Sequence, residues 1–334
     1  MRTERSMRVQ VVGRNGRDIF KGGVEVPEDG TFADLKKAIQ RRNSKYYPDR
    51  QRISLPLQPG QLRPTPIDGS KKLKDCLTSD RPQVVFKDLG PQVSYRSLFF
   101  FEYLGPLIIY PIFYHYPQVY THFGLPERTF TYPVQTYALY AWCFHYLKRE
   151  FETFFVHRFS HATSPLANVY RNCVYYWAFA GFIAYFVNHP YYKPVGETQM
   201  YVGFAISIVG QLSNFYCHVI LKNLRTADGK SSYQIPDGFL FNYVTCANYT
   251  TEIMQWVGFN VATQTIAGYL FLTAATYIMT VWAVQKHRRL KKVCTHTSAH
   301  HQSVKFSPSN CKSYLTAVGV VVLLDYSQCY IYLS

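Results

Sequence analysis

Residues 233–256 read YQIPDGFLFNYVTCANYTTEIMQW and place Asn248, Tyr249, Glu252 and Trp256 at the mouth of an apolar helix. A lipid-facing helix needs none of these side chains. With Asn248 read as the N-cap, the spacing i, i+3, i+7 sets Tyr249, Glu252 and Trp256 on one face, with Asn248 a turn from Glu252. A cap followed by an interfacial Tyr/Trp belt accounts for the two aromatic residues. It does not account for Glu252, because a carboxylate at membrane depth costs a few kcal/mol unless it faces a polar cavity. This face is expected to line a site.

Working outward, the chain of 334 residues divides into a polar, charge-rich first quarter and a long aromatic and aliphatic remainder. The mean hydropathy of −0.14 averages the two and describes neither. The 29 tyrosines and 24 phenylalanines suit membrane interfaces and cavities lined by amphipathic rings. The net charge of +16 gathers at the ends of apolar segments instead of forming a stripe, which favours membrane topology and an anionic substrate over nucleic acid. The eight cysteines show no CxxC pair, so buried free thiols are expected in place of a disulfide framework or a zinc site. With no cleavable leader in MRTERSMR, the first apolar segment is expected to act as an uncleaved anchor.

Residues 1–90 read as a small α+β domain. Met7–Gly13 and Ile19–Val26 alternate apolar and polar around Arg14-Asn15-Gly16, a hairpin pattern. Thr31 with Asp34 forms a capping box ahead of Phe32, Leu35 and Ile39 at helical spacing. Short strands are expected at Arg52–Leu55 and Gln83–Phe86. The order ββαββ resembles the ubiquitin-like β-grasp fold, here fused through Lys87-Asp88-Leu89-Gly90.

Residues 91–292 read as an all-α membrane domain, with six apolar segments near 97–119, 131–147, 172–188, 200–221, 251–264 and 266–285. Starting from a cytosolic N-terminus, Lys148-Arg149, Arg171, Lys222 with Arg225, and the basic run from Lys286 to Lys292 all fall on the cytosolic side. Asn188-His189-Pro190 and His122 fall on the far side. The second helix is expected to continue through FHYLKREFETFFVHRFSHATSP, with Tyr146 and Arg149 sharing a face and His157, Arg158 and His161 following. Asn214 and His218 stand at i, i+4 on the fourth helix. One anion-seeking, hydrogen-bonding pocket at the cytosolic end would gather them all. His157 and His161 at i, i+4 also have a metal-ligand spacing, but a membrane di-iron site needs several such boxes, so no metal is expected. No Gly-rich dinucleotide fingerprint follows a strand, so a nucleotide would bind within the helical domain.

Three features together resemble the steroid 5-alpha-reductase superfamily and, within it, the very-long-chain trans-2-enoyl-CoA reductase branch in its plant-type form. They are the fused N-terminal domain joined through KDLGPQ, the block VHRFSHATSPLANVYRNCVYYW, and the block IPDGFLFNYVTCANYTTE. The resemblance spans about residues 7–292. It implies NADPH-dependent reduction of the C2–C3 double bond of a trans-2-enoyl-CoA, the last step of microsomal fatty-acid elongation, in the endoplasmic reticulum membrane. It implies association with the condensing enzyme, ketoacyl reductase and hydroxyacyl dehydratase of the elongase. By resemblance, Glu102 and Tyr146 form the acid–tyrosine pair and Tyr249 is the proton donor. The cofactor contacts so implied are Arg149, His157, Arg158, Asn214, Arg225, Tyr233, Asn248, Glu252 and His287. A steroid or polyprenol reductase is the alternative within the superfamily, and an inactive elongase-associated scaffold the alternative outside catalysis.

After Lys292 the resemblance stops. Residues 293–334 are expected to form an atypical, unstructured tail, translated from an intron or a misassigned exon. A seventh helix over Leu315–Leu333 is disfavoured by Asp325 at its middle.

Overall fold

The computed structural model describes residues 5–57, 67–78, 82–159, 162–224 and 235–299, with backbone alone from 291 onward. Two compact units result, one of residues 1–98 with 161–168 and the other of 99–160 with 169–334.

In the first unit, strand β1 (Ser6–Gly13) pairs antiparallel with β2 (Val24–Pro27) and parallel with β4 (Gln83–Asp88), which pairs antiparallel with β3 (Gln51–Ser54). The sheet order is therefore β2-β1-β4-β3. Helix α1 (Phe32–Arg42) buries Phe32, Leu35 and Ile39 with Val9, Val11, Val84 and Phe86 of the sheet. The expected capping box is present: the Thr31 hydroxyl accepts from the Asp34 amide at 3.3 Å, and the Thr31 amide donates to the Asp34 carboxylate at 3.0 Å.

The second strand is shorter than the alternation implied, starting at Val24 and not Ile19. Gly22 and Gly23 have φ of +81° and +72°, a left-handed pair that delays the start of the ladder. A Cβ at Gly23 would lie 2.9 Å from the Val9 carbonyl oxygen, so the close approach to β1 needs glycine as well. A two-stranded antiparallel ribbon of β5 (Gln92–Ser94) and β6 (Thr163–Pro165), three residue pairs long, completes this unit's described strands.

Helices stand where the six apolar segments were read: α2 (Tyr95–His115), α3 (Pro133–Phe151), α4 (Leu166–Val187), α5 (Glu197–Asn223), α6 (Ala247–Thr263) and α7 (Ile266–Ala299). Three, α2, α5 and α7 over Ile266–Leu290, are long and apolar enough to cross a membrane. Helix α7 runs beyond Lys292 to Ala299, so the first seven residues of the expected tail continue a helix. The remainder of the tail, including Leu315–Leu333, lies outside the described residues.

The closest pairing is α5 on α6. A Cβ built at Gly203 would lie 2.6 Å from the Ala262 nitrogen, and one at Gly210 would lie 2.6 Å from the Gln255 nitrogen. Gly258 meets the Ser207 backbone from the other side. Small residues at i, i+4 and i, i+7 thus let the two backbones touch, the way helices associate where no hydrophobic drive separates them from lipid. Around this pair, Trp142 of α3 packs on Tyr110, Tyr146, Trp256 and Phe259, with its indole N–H donating to the Pro106 carbonyl at 3.0 Å. One end of the helical unit is closed by a polar plug. There the Arg128 Nη1 donates to Asn188 Oδ1 at 3.1 Å, Gln135 Nε2 to the Val187 carbonyl at 2.9 Å, and the Tyr192 hydroxyl to the Thr263 carbonyl at 2.7 Å.

Two outcomes follow from this packing. Thr31→Ala should cost about 1 kcal/mol locally and lower hydrogen-exchange protection of the α1 amides about fivefold in the intact chain. The Thr31 amide holds the Asp34 carboxyl below the usual carboxylate range, so the cap's contribution is complete above the unfolded value of about 4 and is lost as pH falls through the lower folded value. Gly258→Val should force α5 and α6 apart, costing about 1–3 kcal/mol or more, read as a lower thermal midpoint of the detergent-solubilised protein. Gly196→Val, whose added Cβ meets no neighbouring atom within 4 Å, should change the midpoint far less.

Candidate active site

The chemistry-bearing residues collect at the end of the helical unit opposite the plug, where α3 stops. The helix does not continue through His161 as its sequence suggested. Residues Glu152–Val156 form a single π turn, closed by the His157 amide donating to the Glu152 carbonyl at 2.6 Å, and the chain then extends. From His157 to Phe159 the described backbone is not helical, and His161 lies outside the described residues. A π turn at a helix end is a recurrent mark of functional sites.

The turn buries Glu152 completely, with no exposed surface. Its carboxylate receives Lys148 Nζ at 3.3 Å and Arg149 Nη1 at 2.8 Å, and His218 Nδ1 of α5 stands 2.9 Å away. Each cation then reaches another helix. Lys148 Nζ donates to Asn214 Oδ1 of α5 at 2.5 Å, and Asn214 Nδ2 donates to the Asn248 carbonyl of α6 at 2.8 Å. Arg149 Nη2 donates to the Tyr103 hydroxyl of α2 at 2.6 Å while its guanidinium lies 4.9 Å from that ring's centre. One carboxylate thereby organises α2, α3, α5 and α6.

A second, half-buried acid, Glu252, stands 3.6 Å from His145 Nε2, and Gln255 Nε2 lies 2.6 Å from the other nitrogen of the same imidazole. His145 packs edge-on against Tyr146 and Trp256, so Glu252, Tyr146 and Trp256 share one wall. Glu102 is buried on α2, accepting from Asn172 Nδ2 at 2.9 Å. The Tyr146 ring is 6.3 Å from that of Tyr103, the residue next to Glu102.

The structure thus gathers Arg149, Asn214, Asn248 and Glu252, with His157 attached through ring contact with His218 at 5.1 Å. Tyr146 and Glu102 border the cluster. Tyr249 stands apart on the α7 side, where its ring meets Trp282 and Lys286, and His287 Nδ1 lies 2.9 Å from Thr245 Oγ1. Arg158 is exposed in the extended segment after the π turn. Arg225 and Tyr233 fall outside the described residues. Asn248 is not the N-cap: α6 begins at Ala247 with Cys246 in the cap position and no capping side chain, and Asn248 joins the first turn with its carbonyl committed to Asn214.

Sequence reading missed Glu152, Lys148, His145 and Tyr103. The available signal was Lys148-Arg149 followed by Glu152 at i, i+4 and i, i+3 within an otherwise aromatic run, a pairing that neutralises charge on one helix face. Glu152, His157 and His218 do present ligand atoms within 4.8 Å of one another. A metal ion there would displace Lys148 and Arg149 from Glu152 or sit against both, so the donor set does not suit a cation. Lys148 and Arg149 stand against Glu152 and Glu252, and the N–H donors they keep, with Asn214, suit an anionic oxygen.

The family model described as 3-oxo-5-alpha-steroid 4-dehydrogenase matches residues 162–302, a span that holds α5, α6 and their site residues. Over that span the chain is similar to the steroid-dehydrogenase family. Among full-length relatives, the very-long-chain enoyl-CoA reductase of Dictyostelium discoideum is 39% identical over 274 residues, covering 81% of this chain and 89% of that protein. The human trans-2,3-enoyl-CoA reductase-like protein is 32% identical over 277 residues, covering 79% and 73%. The chain belongs to the enoyl-CoA reductase family.

Glu152→Gln should leave Lys148 and Arg149 buried without their counterion, at about 3–5 kcal/mol. The expected result is a markedly lower thermal midpoint and lost ligand binding. Glu150→Gln is the matched control: both Glu150 oxygens are buried with no hydrogen-bond partner among the described residues, so its loss should be neutral or stabilising.

Proposed function

We propose that this chain reduces the C2–C3 double bond of very-long-chain trans-2-enoyl-CoA with NADPH, as the closing step of fatty-acid elongation in the endoplasmic reticulum membrane. The observation that carries the reading is the Glu152-centred cluster of buried charges and donors in a chain 39% identical to a very-long-chain enoyl-CoA reductase. The same reading takes the N-terminal unit as a β-grasp module, six helices as membrane spans with the cluster facing the cytosol, and the other elongase enzymes as partners.

The residues present fit a dinucleotide phosphate group. Lys148 and Arg149 are held rigid by Glu152, and Arg149 has Nη1 committed to Glu152 and one Nη2–H to Tyr103. Among the described residues its Nε–H has no acceptor, which leaves the guanidinium a donor for an anionic oxygen. Asn214 and the first turn of α6 supply further polar contact, and by resemblance Arg158, Arg225, Tyr233 and His287 join them. When bound, NADPH supplies the hydride that adds to C3.

Negative charge then develops on the thioester oxygen, and the chain's task is to meet it with donors. Tyr146, buried beside Tyr103 and Glu102, is assigned to polarise that oxygen, as an oxyanion-hole donor does. Tyr249, a phenol only partly buried in the first turn of α6, is assigned to protonate C2. The aromatic walls of Trp142, Trp256 and Phe259 keep water from this region.

The test is saturation of a long-chain trans-2-enoyl-CoA by microsomes carrying this chain in a host depleted of its own reductase. Tyr249→Phe and a version with a family-type C-terminus replacing residues 293–334 run beside it. Activity in the native chain and its loss by at least about 100-fold in Tyr249→Phe are expected. Activity only after the C-terminal replacement would mark this form as an inactive member of the family. Inactivity in both would overturn the reductase reading.

A further inference from the structure

The contact of Tyr249 with α7 is not used by the mechanism above. Lys286 Nζ lies 4.5 Å from the centre of the Tyr249 ring, and the Trp282 ring lies 6.3 Å from it, tilted by 49°. Trp282 and Lys286 are four residues apart on α7 and so project from one face. Next to them, the contact of His287 Nδ1 with Thr245 Oγ1 at 2.9 Å fixes α7 against the segment that enters α6. Among the described residues no carboxylate pairs with Lys286, so its charge is directed at the phenol ring and not spent on a neighbouring acid.

Donation of the Tyr249 proton leaves a phenolate, and two features of its surroundings favour that charge. Tyr249 sits in the first turn of a 17-residue helix, whose N-terminus carries partial positive charge. A cation over an aromatic ring is attracted to the π face, and the attraction rises when ionisation puts net negative charge on the ring.

We infer that Lys286 is a positioning residue for Tyr249: with Trp282 it holds the ring against α7, and its ammonium stabilises the phenolate formed as C2 is protonated. This rests on the reductase reading. The C3–H bond forms with hydride from the reduced nicotinamide as the C2–C3 π bond breaks and its electron pair passes to the enolate, the C2–H bond forms from that pair as the Tyr249 O–H bond breaks, and the phenolate regains its proton from water. Lys286 keeps its own three protons throughout.

The experiment uses the full-length protein in detergent or microsomes, comparing Lys286→Met, Lys286→Gln and Lys286→Arg, each alone and with Tyr249→Phe. Three quantities are read: kcat and KM for a trans-2-enoyl-CoA, the solvent deuterium isotope effect on kcat, and the Kd of a saturated long-chain acyl-CoA measured by tryptophan fluorescence without dinucleotide. Lys286 is exposed, so thermal midpoints and elution profiles should match the unaltered protein for at least one neutral variant. Expected for the neutral variants is a roughly tenfold lower kcat and a larger isotope effect, with KM and acyl-CoA Kd within about twofold. Lys286→Arg should recover most of kcat, and the neutral variants should add little to Tyr249→Phe. A raised KM and Kd with kcat intact would overturn the inference and make Lys286 an anchor for the coenzyme A phosphates. Losses that multiply with Tyr249→Phe would overturn it too. A chain that reduces no enoyl-CoA either as it stands or with the family-type C-terminus overturns the reductase reading and this inference with it, whereas an active chain indifferent to Lys286 overturns this inference alone.

Discussion

Everything at the working end of the helical unit depends on one buried carboxylate. Glu152 is enclosed by Lys148, Arg149 and His218, and through the first two it reaches Asn214 on α5, the Asn248 carbonyl on α6 and the Tyr103 hydroxyl on α2. An isolated carboxylate at that depth would be costly; three donors turn it into a fixed point from which two cations are aimed. The π turn that starts at Glu152 belongs to the same arrangement, because it ends α3 where its last turn has to serve the neighbouring helices and not its own ladder.

The second constraint is steric. Gly203, Ser207 and Gly210 of α5 meet Gly258, Ala262 and Gln255 of α6 backbone to backbone, which fixes the register of α6. That register carries Glu252 to His145, Trp256 to Trp142 and Tyr249 to α7. Small residues far from any chemistry thereby decide which side of the site each reactive group faces. Helix α7 completes the arrangement through Trp282, Lys286 and His287 and runs on to Ala299, so the residues after Lys292 extend an element that touches Tyr249.

Features governed by local pattern were legible in the sequence. The Thr31–Asp34 capping box, the helical spacing of Phe32, Leu35 and Ile39, and the six apolar helices all follow from neighbours within a few residues. Enoyl-reductase kinship was legible from the blocks around His157 and Tyr249. What escaped was set by partners distant in sequence. FETFFVHRF reads as continuing helix, and only His218 and Asn214 of α5 explain why Glu152 turns inward there. Asn248 reads as a cap, and only the demand of Asn214 for its carbonyl shows that it belongs to the first turn. The β2 strand was read too long because the left-handed Gly22-Gly23 pair interrupts an alternation that hydrophobicity alone carries through.

We propose that the coenzyme A thioester and the dinucleotide meet at the Glu152-centred cluster. That placement is tested most directly by photo-crosslinking the full-length protein with a trans-2-enoyl-CoA bearing a diazirine close to the thioester, then mapping the adducts by peptide mass spectrometry. Adducts within residues 142–157 and 245–260, suppressed by unlabelled enoyl-CoA and enhanced by NADPH, are predicted. Competable adducts confined to the plugged end around Arg128 and Asn188, or to the N-terminal unit, would contradict the account.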